Sequence, residues 1–318
     1  MISMQENPYQ FIEDALIYEG GRVSDHLICV RANNPSPMTY TGTNTYVIVA
    51  KLPAQRDGSP SKAPASVMST MGQTHSVPLR AGARQQDAVP PALCYIVDPG
   101  PAGQHIYDVL AALAQYNLAP SAIIETHDHF DHTEGTAEMK EACERLRQAP
   151  VPVLSRRTQT LPDGLLRVES GAPVVEIVSL PGHSHDSIGI MLSEDKVVLT
   201  GDVVFKQGPT VVYYPDGVLA DYLATLDVLD ELVASGRATM FAPAHGWPYD
   251  EPHRFIEATR AHRLERLEQI DKALADGVAP DAAALVNAVY TDIDARLRPY
   301  AKKSVQAQLV YRGYEVTE

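Results

Sequence analysis

Ala122-Ile-Ile-Glu125 runs directly into Thr126-His-Asp-His-Phe-Asp-His132. The first four residues read as a short buried strand. Three imidazoles and two aspartates then fall within residues 127–132, at the carboxyl end of that strand. Residues two apart at a strand end point alike, so His127 and His129 can chelate one cation. Asp131 and His132 open the next helix and can face a second. Imidazole with carboxylate suits zinc, and manganese or iron less exclusively.

These four residues cannot close two sites, and further candidates stand after other strands. Pro181-Gly-His-Ser184 follows a strand ending at Leu180, and Thr200-Gly-Asp202 follows Val197-Val-Leu199. Pro243-Ala-His-Gly246 follows a strand ending at Ala242. Each candidate ligand sits among small residues, where backbone can approach closely. The set is then His127, His129 and His183 on one metal and Asp131, His132 and His245 on the other, with Asp202 bridging. Helix capping and core polarity would explain a lone His-x-His, but not this ordered series.

The elements around the motif alternate. Strands are expected at Thr45–Ala50, Leu93–Asp98, Val174–Ser179, Ser187–Leu192, Lys196–Thr200 and Thr239–Ala242, and helices at Ile106–Tyr116, Thr133–Arg147 and Ala220–Leu232. That pattern is α/β, or α+β with layered sheets. Lys51–Ala92 is rich in Pro, Ser, Ala and Gly without an apolar period, and reads as an inserted surface loop. After Pro248 the chain turns helical, with a long helix expected over Pro252–Leu274 carrying Ile256, Arg263, Leu267, Ile270 and Leu274 on one stripe. Two more helices are expected at Pro280–Tyr290 and Ala301–Tyr311. The division expected is residues 1–250 as a catalytic domain, with the loop 51–92 inserted, and 251–318 as a small module.

Composition narrows the function. The 318 residues carry 26 Lys and Arg against 40 Asp and Glu, a formal charge of −14. That disfavours non-specific binding to duplex nucleic acid or anionic lipid over the whole surface. No apolar run is long enough for a membrane helix. The first twenty residues lack a basic n-region and a continuous apolar stretch, so cytoplasmic residence is the expectation. Cys29, Cys94 and Cys143 are widely spaced, which suits a reduced compartment without a disulfide framework or cysteine zinc site.

The ordered ligand set closely resembles the metallo-β-lactamase superfamily. The chain is more particularly similar to its lactamase-β-like protein 2 group. That second resemblance rests on Arg31-Ala-Asn-Asn-Pro-Ser-Pro-Met-Thr39, Gly42-Thr-Asn-Thr-Tyr46, Gly208-Pro-Thr-Val-Val212, Pro243–Gly246 and Ala261-His-Arg-Leu-Glu-Arg266. Lys303-Ser-Val-Gln-Ala-Gln-Leu309 looks like the end of that group's winged-helix-like C-terminal module. The resemblance implies an αβ/βα sandwich with a dimetal site at its sheet edges, two Zn2+ ions, and a homodimer as the assembly. Antibiotic-cleaving members carry a cysteine where this chain has Asp202, so β-lactam hydrolysis is not implied.

Two cations sharing one water would lower its pKa and generate hydroxide near neutrality, with Asp131 orienting it or taking its proton. Two substrates stay open. Single-stranded RNA, cleaved at its phosphodiester, follows from the subgroup resemblance and from Arg296, Arg298, Lys302, Lys303 and Arg312, which have no acid between them in sequence. The −14 charge and the lack of a visible aromatic platform count against tight RNA binding. A small thioester or ester of the glyoxalase II or acyl-carrier thioesterase type is the alternative. His185, His262 and Arg263 are candidates for supporting the site or touching substrate, against a rim or helix-packing role. Lys206 and Tyr213 can reach the cleft. His26, His75, His105 and His253 are expected at the surface.

Overall fold

A computed structural model describes residues 20–52, 90–158 and 161–316. Nearly all of the expected insertion, and His75 within it, lies outside the described residues, as does the N-terminal segment before Gly20.

Two six-stranded sheets make the middle of the molecule. The first runs β1 (Gly20–Arg22), β2 (Leu27–Arg31), β3 (Asn44–Val49), β4 (Ala92–Val97), β5 (Leu118–Ile124) and β6 (Val153–Leu154), in that spatial order. The second runs β12 (Tyr249–Asp250), β11 (Met240–Pro243), β10 (Val197–Gly201), β9 (Ile188–Leu192), β8 (Val175–Ser179) and β7 (Gly164–Leu166). β4–β5–β6 and β10–β11 pair parallel, and the other neighbours antiparallel.

Alternation along the strands explains the layering. Tyr46, Ile48, Tyr95, Val97 and Ile124 point inward and meet Ile177, Ile190, Val197 and Leu199 of the other sheet in one core. Their neighbours Val47, Val49, Cys94, Ile96 and Ile123 point outward, onto α1 (Gln104–Gln115) and α3 (Thr136–Arg147). Met191, Val198 and Phe241 face α4 (Leu219–Ala234) and the start of α5 (Pro252–Ala275). Helix, sheet, sheet, helix is the αβ/βα sandwich that the resemblance implied.

Some boundaries shift. The single helix expected over Thr133–Arg147 is interrupted: α2 (Phe130–Thr133) stops, and Gly135 N–H bonds across to Gly100 O at 2.8 Å before α3 begins. The expected strand Ala122–Glu125 starts earlier, at Leu118, because β4 pairs with it from Leu118 onward, and it ends at Ile124.

At the carboxyl end, α6 (Ala282–Val289) and α7 (Arg298–Tyr311) pack with the far half of α5 around Ile270, Leu285, Val286, Val305 and Leu309. The helical part of the expected module is there. After Asp250 the described residues contain no strand, so a wing is not among them.

Candidate metal centre

The candidate ligands come from four loops at one edge of the two sheets. β5 ends at Ile124 and delivers Thr126–His132. The β8–β9 connection carries His183, Asp202 follows β10, and His245 follows β11. Gly182 lets this happen: at φ +128 its Cα abuts α4, and a Cβ there would lie 2.3 Å from the Tyr222 backbone. Asn44, at the start of β3, binds the other sheet, donating to the carbonyls of Pro243 (3.0 Å) and Gly246 (2.7 Å). The two halves are thereby tied together beside His245.

Three imidazoles converge. His129 Nδ1 lies 3.0 Å from His127 Nε2 and 2.9 Å from His183 Nε2. His132 and His245 face carboxylates instead. His245 Nε2 is 3.2 Å from Asp131 Oδ2 and 3.4 Å from Asp202 Oδ1, and His132 Nε2 is 3.4 Å from the same Asp202 oxygen. The other Asp202 oxygen faces His183 Nε2 at 3.7 Å. One aspartate therefore divides its two oxygens between the two groups. All seven residues named from the sequence are brought together.

The far nitrogens fix the tautomers. His183 Nδ1–H donates to Val211 O (2.6 Å) and His132 Nδ1–H to Asp98 Oδ2 (2.9 Å). Thr126 gives its hydroxyl proton to Asp98, so it accepts from His127 Nδ1 at 3.1 Å. The inward nitrogens of His127 and His183 are then bare lone pairs, while that of His132 faces the carboxylates of Asp131 and Asp202. His132 Nε2 and Asp202 Oδ1 are buried without a hydrogen bond. Imidazole nitrogens and carboxylate oxygens converging from several loops are the donor set a divalent cation satisfies.

Charge follows the same division. Burial, with the neighbouring His132 charge, holds the His127 imidazole well below its ordinary range. Burial is also the main cause that takes His183 down to about 4. Burial alone would lower His245, but Asp202 and Asp131 raise it to about 9. His132 is likewise raised against burial by Asp131, Asp202 and Asp98. In turn His132 and His245 outweigh burial at Asp131 and pull it to about 2.

The remaining candidates separate. Arg263 is buried and donates to Thr210 O, with its guanidinium 5.2 Å from the Tyr222 ring centroid. Thr210 Oγ1 lies 3.2 Å from His183 Nδ1, so the arginine acts on the site through this loop. His262 lies beside it, and burial with the charges of Arg263 and Arg266 takes its imidazole down to about 3. No hydrogen bond or ring contact joins His262 to the cluster among the described residues. His185 is exposed and pairs with Asp216 at the rim. Tyr213 reaches the site, its ring centroid 5.8 Å from that of His129. Lys206 is exposed and lies over Phe255 instead. His105, expected at the surface, is buried in the first turn of α1 against Thr45.

Asp98 was visible in the sequence only as a strand end. It is 2% exposed and accepts from Thr126 N–H, Thr126 hydroxyl and His132. Its φ of +50, unusual for a residue with a side chain, turns the carboxylate back under the site. An Asp before Pro-Gly at a strand end was the available signal.

A family profile described as the Metallo-beta-lactamase superfamily matches residues 90–144 and 144–245. A Beta-lactamase-like protein 2 homolog of Caenorhabditis elegans is 24% identical over 297 residues, spanning 91% of this chain and 84% of that one. An atrochrysone carboxyl ACP thioesterase of Aspergillus novofumigatus is 25% identical over 261 residues, 80% of this chain and 64% of the relative. Among solved structures, a Beta-lactamase domain protein from Burkholderia ambifaria superposes with a TM-score of 0.65 at 18% identity, covering 98% of this chain and 93% of that one. Profile, relatives and sandwich agree with the ligand loops, and the chain belongs to the metallo-β-lactamase superfamily of hydrolases.

Proposed function

We propose that this protein is a dinuclear-metal hydrolase of acyl thioesters or esters. The observation that carries the dinuclear reading is Asp202, whose two oxygens face two separate donor groups. His127, His129 and His183 would hold one metal, and Asp131, His132 and His245 the other. Zinc suits these donors, with manganese or iron as alternatives. Bound there, the metals supply Lewis acidity and make a water acidic enough to attack near neutral pH.

The chain's own residues do the rest. Asp131 is the most open of the two carboxylates, 32% exposed, and its Oδ2 is placed to take a proton from a nucleophile in the cleft. Asp98 and Val211 hold His132 and His183 with their other ring nitrogens turned inward. Residues 1–250 form the catalytic body on this reading, and 251–318 a helical module against one side of it.

The thioester reading is supported over the RNA reading by the fate of the basic tail. Arg296 pairs with Asp294 and Arg312 with Asp271, while Arg298 is taken by Asn287 and the Tyr290 carbonyl. Three of the five basic residues of the run are thereby engaged, which leaves Lys302 and Lys303 rather than a continuous track for a phosphate backbone. The kinship with an acyl-carrier thioesterase points the same way.

The test is a paired assay of zinc-loaded protein on an acyl thioester and a labelled single-stranded RNA, each with and without chelator. Chelator-sensitive thioester turnover with intact RNA is the expected result. RNA cleavage with an inert thioester would overturn it in favour of a nuclease. His129→Ala should abolish turnover with the fold retained.

A further inference from the structure

A second group of ligating side chains stands outside the dinuclear centre. One nitrogen of His185 and one oxygen each of Asp186 and Asp216 lie within 4.8 Å of one another. His185 pairs with Asp216 through its ring, and its backbone N–H reaches the same Asp216 oxygen at 3.4 Å. Asp128, between His127 and His129 in sequence, is close enough for its charge to act on both His185 and Asp186.

Asp186 is what sets this group apart from a surface cluster of acids. It is 2% exposed. The Ser184 hydroxyl donates to its Oδ1 at 2.9 Å, and Ser187 Oγ lies 2.6 Å from Ser184 Oγ. Ser187 therefore gives its proton to Ser184, and neither serine has one left for Oδ2. That oxygen is buried without a hydrogen bond among the described residues. A carboxylate taken out of water with one oxygen unanswered, beside a second carboxylate and within the field of a third, is costly unless a positive charge joins it.

The backbone around the group is fixed. Gly217 N–H donates to Tyr213 O at 2.6 Å and Val218 N–H to Gly182 O at 3.0 Å, on the two sides of Asp216. A Cβ on Gly217 would lie 2.5 Å from His183 O, so the loop of Asp216 and the loop of His185 are already in contact. The donors thus come from two loops held at a set distance, as a cation site requires.

We propose that His185, Asp186 and Asp216 hold a third divalent cation, outside the dinuclear centre, which pins the loop of residues 208–217 to the loop that carries His183. One imidazole with two carboxylates suits Mn2+ or Zn2+. The exposed His185 side leaves room for water to complete the coordination. The site is independent of the substrate and adds to the two metals proposed above.

The probe is manganese alone. Protein loaded with zinc and desalted has its zinc counted, and is then titrated with Mn2+ while the resonance of the free ion is followed by electron paramagnetic resonance. Two zinc ions and one further Mn2+ per chain are expected. Three zinc ions in the wild type and two in the variants would uphold the site equally. Asp216→Asn and Asp186→Asn should each weaken the last ion at least about tenfold and leave two zinc ions in place. Mn2+ should raise the melting temperature of the wild type and of neither variant, and the same melts show that both variants are folded. No ion beyond the first two, an affinity unchanged in both variants, or Mn2+ uptake matched by zinc release would each overturn the proposal. Fewer than two zinc ions, with Mn2+ uptake still lost in the variants, would sink the dinuclear reading and leave this site standing.

Discussion

Asp98 has no place in the cleft, yet it gathers three hydrogen bonds from residues that shape it. Replacing it with Asn removes the acceptor that fixes His132 and puts an amide N–H into a crowded, donor-rich corner. Zinc affinity should fall about 10- to 100-fold with the fold intact, read by competition with a chelating dye; unchanged affinity would show that His132 needs no such support. His105 makes a second case. Its Nε2 lies 2.7 Å from Thr45 Oγ1, which donates to Asp98 O, and its Nδ1 is buried without a partner. Burial takes this imidazole from 6.5 down to about 4. The folded protein resists protonating it while the unfolded chain does not, so it costs stability as pH falls from 6.5 to 4 and no further below that. The cost is roughly 3 kcal/mol at full protonation. His105→Gln keeps a donor and cannot titrate, so urea unfolding curves for the two proteins should diverge across that window. Parallel curves would refute it. The role of neither residue was read beforehand. Thr45 and His105 are sixty positions apart, and spacing along a chain says nothing about which strand end will lie over which helix.

At the scale of elements, the seven candidate ligands could be read because each sits just past a strand that announces itself by β-branched residues and a small-residue turn. What spacing could not show was which ligands the loop of residues 208–217 would meet, although Gly208–Val212 carries part of the resemblance and Tyr213 was expected to reach the cleft. It carries Thr210 and Val211 to His183, Tyr213 to His129, and Asp216 to His185. Arg263 steadies it from α5. Arg263→Met should free the Thr210 carbonyl and weaken zinc binding at His127, His129 and His183 by about 10- to 100-fold, with Arg263→Lys between. A lower melting temperature with unaltered zinc affinity would mean that the arginine only packs. Gly217→Ala pushes a methyl into the His183 carbonyl and should cost about 1–3 kcal/mol in thermal unfolding.

Over the whole molecule, layered sheets were legible from the alternation of elements, and the sandwich from the resemblance that the ordered ligand motifs carry. The charge of the tail was not, because the acids that answer Arg296 and Arg312 belong to a turn just before it and to a different helix. The site also joins the two sheets, with ligands from both, so metal should hold the halves together. Chelation should lower the melting temperature, by an amount that grows with zinc concentration. Affinity for zinc should rise with pH toward about 9, because His245 holds a proton that the metal must displace. A pH-independent affinity would place the metal elsewhere. The tail meets this centre through two side chains, Arg263 and Lys303, and each arrives by way of the same short loop. Support for a metal ligand is thus written partly on the carboxyl-terminal helices. A descendant that exchanged its last helices would have to find another way to steady that loop against His183.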